Sequence, residues 1–221
     1  MNRYQVTLVG QTPLLMHKDN ISFSEQIKKW QMDPQNKELS VAGDDRSPAW
    51  TWIGYLYHDG KHLGVDADCL MTMLREGGAK MPTGKGKETY KKQTQYGLQV
   101  DQIQFDLVVN DGLIDIGWIE PLIGVIDFSK HEEDVKAHGF ELFCKRAVVG
   151  RGKHVRVRPR FDKWACTGTI TVIDEEQSGL TEPVLKRILD LSGAMVGLCD
   201  WRPSSRSSGS FGKFTVDLQK I

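Results

Sequence analysis

The chain is poor in cysteine. Among 221 residues there are four, Cys69, Cys144, Cys166 and Cys199, and no two stand as a Cys-x-x-Cys pair. That spacing argues against a zinc ribbon and against a secreted disulfide framework; it fits reduced structural thiols in a cytoplasmic protein. Long apolar runs are missing too. No stretch approaches the roughly 18 residues of a membrane span, and residues 1–10 show no apolar run behind a basic head, so neither a membrane partner nor a signal peptide is expected. Also missing are His-Glu-x-x-His and the phosphate-binding pattern Gly-x-x-x-x-Gly-Lys-Ser/Thr. The six histidines are scattered, and His58 and His62, four apart, are separated by an expected turn. No metal, no cofactor and no catalytic residue is expected. Asp44-Asp45 and Glu132-Glu133-Asp134 read as solvated acids rather than divalent-ion ligands.

Net charge is likewise absent, with 29 Lys+Arg against 29 Asp+Glu, but the average conceals blocks of one sign. Residues 145–163 carry eight basic side chains and one acid, Asp162; residues 80–92 carry five lysines and one acid, Glu88. Residues 101–134 carry nine acids and one base, Lys130. Such separation suggests a steering surface and a partner of opposite charge.

With 39% hydrophobic residues the chain can build a core. Alternation predicts strands over residues 4–9, 51–57, 99–109, 113–119, 142–149, 154–160, 167–173 and 213–218. Ser22 with Glu25 predicts a capped helix to Trp30. Asp66 and Thr181 are expected to start helices ending near Gly77 and Gly193. Hairpin turns are expected at His58-Asp59-Gly60-Lys61 and Gly150-Arg151-Gly152-Lys153. Residues 77–87, rich in glycine and lysine, read as a mobile loop followed by a short basic helix. In residues 154–160, Val155 and Val157 alternate with Arg156 and Arg158, giving one apolar and one arginine face. Strands interleaved with short helices predict an α+β class with a mainly antiparallel sheet. The expected organisation is one domain over residues 1–221, with an insertion at about 30–100 that carries the basic loop.

Near the C-terminus, Gly209-Ser210-Phe211-Gly212-Lys213-Phe214 runs into the last expected strand. It resembles the glycine-rich tail of the RAMP superfamily, the RRM-fold proteins of CRISPR effector complexes. Thr12-Pro13-Leu14-Leu15-Met16 is similar to the post-strand Pro-Leu segment of the backbone-forming subunits. Leu63-Gly64-Val65-Asp66, followed by Leu70-Met71-Thr72-Met73-Leu74-Arg75, is similar to their segment leading into a helix. Cys199 and the run Ser204 to Ser208 depart from the pattern, and some phage proteins carry a similar tail. The resemblance implies a ferredoxin-like (RRM-like) core with inserted loops and hairpins. It also implies binding of single-stranded nucleic acid, often by head-to-tail assembly of copies.

The residues themselves point the same way. Lys85, Lys87, Lys91 and Lys92 of the basic loop would contact phosphates, as would Arg146, Arg151, Lys153, Arg156, Arg158 and Arg160 of the ribbon, and Trp201, Arg202, Arg206 and Lys213 of the tail would contact the strand beside them. Tyr90, Tyr96, Phe161, Trp164, Trp201 and Phe211 are interleaved as stacking candidates. The expected function is non-catalytic binding of single-stranded RNA or DNA by a homo-oligomer or filament. The alternatives are an RNA-processing endoribonuclease using His154 or His17, and a viral protein-interaction or inhibitor module.

Overall fold

The computed structural model describes residues 1–149 and 152–221. The first half of the chain runs β1 (Asn2–Gly10), β2 (Leu14–Leu15), α1 (Ile21–Met32), β3 (Gly64–Asp66), α2 (Ala67–Gly78), α3 (Lys91–Gly97), β4 (Leu98–Val100), β5 (Gln104–Val109) and β6 (Gly112–Leu113). The second half runs α4 (Phe128–Ala137), β7 (Glu141–Val149), β8 (Gly152–Phe161), β9 (Ala165–Val172), α5 (Glu175–Ser178), α6 (Glu182–Leu191) and β10 (Phe214–Lys220). Helices and antiparallel sheets thus coexist, and the class is α+β. The chain divides into two compact units. One comprises Met1–Leu14, His58–Ile114 and Asp162–Ile221; the other comprises Leu15–Tyr57 and Asp115–Phe161. The stretch expected as an insertion, about 30–100, is therefore shared between them. No helix among the described residues is long and apolar enough to cross a membrane.

In the first unit the sheet order is β10-β1-β9-β5-β3, with β4 paired to β9 and β6 to β5, all antiparallel. α2 lies on the connection from β1 to β5, and α6 on that from β9 to β10. Alternation does the sorting: Tyr4, Val6 and Leu8 of β1 are buried with Ile170 and Val172 of β9 and with Phe105 and Leu107 of β5. Leu70, Met73 and Leu74 of α2, and Leu185, Ile188 and Leu189 of α6, supply the helical side of this core. The two helices meet closely because Gly77 has no side chain: a Cβ there would overlap Ser192 Oγ.

The second unit holds a ribbon of β7 and β8, in register from Glu141↔Arg160 to Val149↔Gly152. The Met16 N–H extends this sheet by bonding the Pro159 carbonyl at 3.0 Å. Its core is aromatic. Trp52, fully buried, lies 6.0 Å from Phe140, which stacks at 4.8 Å on Phe161. Trp52 Nε1 donates to His131 Nδ1 at 3.2 Å, so the His131 proton is on Nε2, 2.9 Å from the Val125 carbonyl.

Several expected elements differ. Residues 51–57 contain a 3-10 helix, Thr51–Tyr55, rather than a strand. The Thr51 and Ile53 N–H groups bond back three residues to the Pro48 and Trp50 carbonyls, and this places Trp50 and Trp52 inside. The expected strand 113–119 is limited to Gly112–Leu113. Asn110 and Asp111, both at positive φ (51° and 64°), turn the chain, and beyond β6 the Asp115 carboxylate takes the Gly117 N–H in a local turn. α1 is capped by Asn20, whose Oδ1 accepts from the Phe23 N–H, not by Ser22. α6 continues past Gly193 as a π-helical turn, Ser192–Val196, and stops at Gly197 with φ 76°. α4 was not among the expected helices; five of its ten residues, Lys130, Glu132, Glu133, Asp134 and Lys136, are charged, with too few apolar positions to mark a face.

Candidate functional site

The ribbon carries the densest positive charge, and the structure divides its cations into two sets. Asp45, expected in a solvated loop, is buried at 7% exposure. The segment around it lines the edge of β8: the Val155 N–H bonds the Gly43 carbonyl and the Asp45 N–H bonds the Val155 carbonyl. The Asp45 carboxylate therefore lies against three donors. Oδ1 accepts from Arg156 Nη1 at 2.9 Å, and Oδ2 accepts from the Val157 N–H and Arg158 Nη1, both at 3.1 Å. Arg158 is 6% exposed, so its guanidinium is part of the interior and not a phosphate contact; Arg156 is half-buried. This corrects the expectation for Arg158. The physical reason is that a buried guanidinium requires a partner, and Asp45 supplies it from the facing loop.

Lys145, Arg146 and Lys153 are exposed. Arg160 is half-buried, its guanidinium 5.8 Å from the Phe143 ring centroid. Arg151 lies outside the described residues. His154 packs against Gly43, with a buried Nδ1, and does not stand open among the arginines as an acid or base would.

Beside the Asp45 cluster is a group the sequence had suggested only through His17. Arg158 stands 4.7 Å over the Tyr55 ring and its Nη2 is 3.4 Å from His17 Nδ1; His17 meets Tyr55 edge-on at 4.8 Å. Burial, reinforced by the Asp45 charge, pushes the Tyr55 hydroxyl up to about 12. A cleft of about 180 Å³ adjoins it, with His17, Lys18, Asn20, Ser24 and Tyr55 in its wall. Nothing in the spacing of Asp45, Tyr55 and Arg158 announces this cluster. It exists because a loop and a 3-10 turn fold onto one strand edge.

In the first unit the basic loop is a closed turn. Pro82 pairs with Thr89, the Thr83 N–H bonds the Glu88 carbonyl, and Gly84 and Gly86 take positive φ at the tip. Lys85, Lys87, Lys91 and Lys92 are all exposed there, beside the exposed Tyr96 and half-buried Tyr90.

The tail loop is equally ordered by bonds. Leu198 N–H reaches the Gly212 carbonyl, Gly212 N–H the Pro13 carbonyl, and Phe211 N–H the Trp201 carbonyl. Gly209 and Gly212 are glycines because a Cβ would strike the Trp201 and Leu198 carbonyls respectively. Arg202 is committed inward: Nη1 donates to the Cys199 carbonyl at 3.0 Å, Nη2 to Glu76 Oε1 at 3.2 Å, and Nε to Ser204 Oγ at 3.0 Å. Through these bonds it braces the loop, with its side chain 24% exposed. Trp201 is half-buried, tilted against Phe211; Arg206 is exposed and Lys213 half-buried. Of the remaining aromatics, Phe161 and Trp164 are buried, and Trp164 Nε1 bonds the Thr12 carbonyl.

Among the described residues no group of His, Cys, Asp or Glu could hold a metal ion. No family model matches the chain, and no curated protein matches it.

Proposed function

We propose that this protein is a non-catalytic, sequence-tolerant binder of single-stranded RNA or DNA that assembles head to tail along the strand. One observation carries the reading. From residue 142 to residue 161 the ribbon has no acid of its own, and beyond the pair committed to Asp45 it keeps Lys145, Arg146 and Lys153 exposed. Cations held along a ribbon without intervening carboxylates suit a phosphate backbone. The lysine turn and exposed Tyr96 offer a second set of charge and a ring on which a base can stack. The strand order β10-β1-β9-β5, with helical connections at β1–β5 and β9–β10, supports a ferredoxin-like core of the RAMP kind. The acid-rich residues 101–134 supply the complement that a following copy would need.

Gel shifts with labelled single-stranded RNA and DNA at two salt concentrations test this. The log–log slope with salt should be about −0.7 per phosphate neutralised. Replacing Lys145, Arg146 and Lys153 by Ala together should reduce its magnitude by about 2. Mass from size-exclusion with a strand of ~30 nucleotides should report several copies. No shift at low salt rejects the proposal.

A second reading is RNA cleavage at His17. It is favoured by the approach of the Arg158 guanidinium to His17 Nδ1 beside an open cleft, which would place a positive group next to an acid–base imidazole. A protein that does not cut labelled RNA, or a His17→Ala variant that cuts as fast as the parent, removes it.

A further inference from the structure

A second cleft, of about 210 Å³, lies in the first unit and is lined by Asp68, Cys69, Thr72, Gly197, Cys199 and Arg202. Two of the four cysteines thus face one space although 130 positions separate them in the chain. Cys69 belongs to the first turn of α2 and is half-exposed; Cys199 belongs to the tail loop and is buried.

The loop holds Cys199 in position. Its φ is +58°, a left-handed conformation that a β-carbon disfavours, and it is retained by the Arg202 bond to the Cys199 carbonyl and by the Leu198 N–H bond to Gly212. A residue kept in such a conformation beside an open cleft invites a functional explanation.

We propose that Cys69 and Cys199 form an oxidisable dithiol, a modification site at which hydrogen peroxide joins the first turn of α2 to the tail loop. The half-exposed Cys69 thiolate attacks the peroxide oxygen; the O–O bond breaks and water leaves, giving a Cys69 sulfenic acid. The Cys199 sulfur then displaces the sulfenic hydroxyl, an S–S bond forms, and a second water carries off that hydroxyl with the Cys199 proton. Two thiols are oxidised and one peroxide is reduced to two waters. Exposure assigns the roles: both residues line the cleft, but Cys69 is part-exposed whereas Cys199 is buried. The Cys199 thiol is held well above the usual value by its hydrogen bond with Cys69 and by burial, which keeps it protonated until the sulfenic acid forms. Cys166 is fully buried and is the inert comparator; Cys144, exposed on the ribbon, is the competing target. The site stands independently of nucleic-acid binding.

The test is peptide mass mapping of the full reduced chain after exposure to hydrogen peroxide and alkylation of the remaining thiols. The expected product is the Cys69 peptide joined to the Cys199 peptide, lighter by two hydrogens and separated again by dithiothreitol, with Cys166 unmodified. In Cys199→Ser, Cys69 should instead proceed to sulfinic acid. The proposal is overturned if the parent chain gives Cys69 sulfinic acid without the cross-link, joins Cys69 to Cys144, or leaves both Cys69 and Cys199 fully alkylated while Cys144 is oxidised. Mapping the parent chain decides the matter even where a variant does not fold.

Discussion

Replacing Asp45 by Asn should destabilise the second unit while changing almost no shape. The carboxylate accepts three hydrogen bonds, two from guanidinium groups. The Asp45 and Arg158 side chains are both 7% exposed, so loss of the charge leaves Arg158 buried without its counterion. Breaking such a pair from one side costs about 3–5 kcal/mol. The Arg156 side chain is 29% exposed and adds little beyond that. Asn retains one oxygen for the Val157 N–H, which places the expectation at the lower end, about 3 kcal/mol. With an m-value of about 3 kcal/mol per molar urea the midpoint falls by about 1 M. Tryptophan fluorescence reads it, since Trp30, Trp50, Trp52 and Trp118 all lie in the second unit. The second arm is Asp45→Asn combined with Arg158→Met, which exchanges the ion pair for apolar packing. It should recover most of the loss, because a buried pair contributes less than its breakage costs. A single variant within about 0.5 kcal/mol of the parent, or a double variant no better than the single, refutes this account of the cluster.

Arg158→Met alone should leave single-strand affinity unchanged, whereas Arg146→Ala should weaken it at every sequence tested; gel shifts measure both. The Tyr55 hydroxyl, raised to about 12, makes stability fully present below the ordinary tyrosine value near 10 and lost as pH climbs from there through about 12. Ultraviolet titration of the phenolate would detect it, and Asp45→Asn should bring the transition down. Burial holds the His131 imidazole below its usual range. Its neutral form is the folded one, so its contribution is present above about 6.5 and declines as pH falls through the lower folded value. Nitrogen NMR should show the neutral Nε2–H tautomer of His131 persisting below the ordinary imidazole value near 6.5. Gly212→Ala places a Cβ on the Leu198 carbonyl at φ 68° and should cost about 2 kcal/mol, a melting shift of about 6 °C. Gly112→Ala, whose nearest neighbour would be 3.9 Å away, should leave the melting temperature unchanged.

Local pattern was sufficient where one residue's neighbours in sequence are also its neighbours in space. The period-two burial of β1 and the Asp59-Gly60 turn are of this kind; at that turn the Asp59 carboxylate takes the Lys61 and His62 N–H groups. In β8 the expected apolar and arginine faces do not separate, since Val157, Arg158 and Pro159 are all buried. Around Trp50 and Trp52 the same pattern misled, because alternate aromatics mark a strand and a 3-10 turn alike when both bury them. α4 escaped notice because His131, a polar residue, fills its buried position by bonding Trp52 and Val125, partners 79 and 6 positions away.

Sequence by itself determined the antiparallel strand pattern, the clustering of cations and the glycines that bring the tail loop's carbonyls close, since each follows from side-chain size, charge and alternation. Tertiary structure decided which cations face water. Arg156, Arg158 and Arg202 look identical to Arg146 in the chain, yet Asp45 and Glu76, 111, 113 and 126 positions away from them, draw those three into bonds. Long-range pairing of charge has no period that a sequence can display, and it depends on which backbone edges the fold lays side by side.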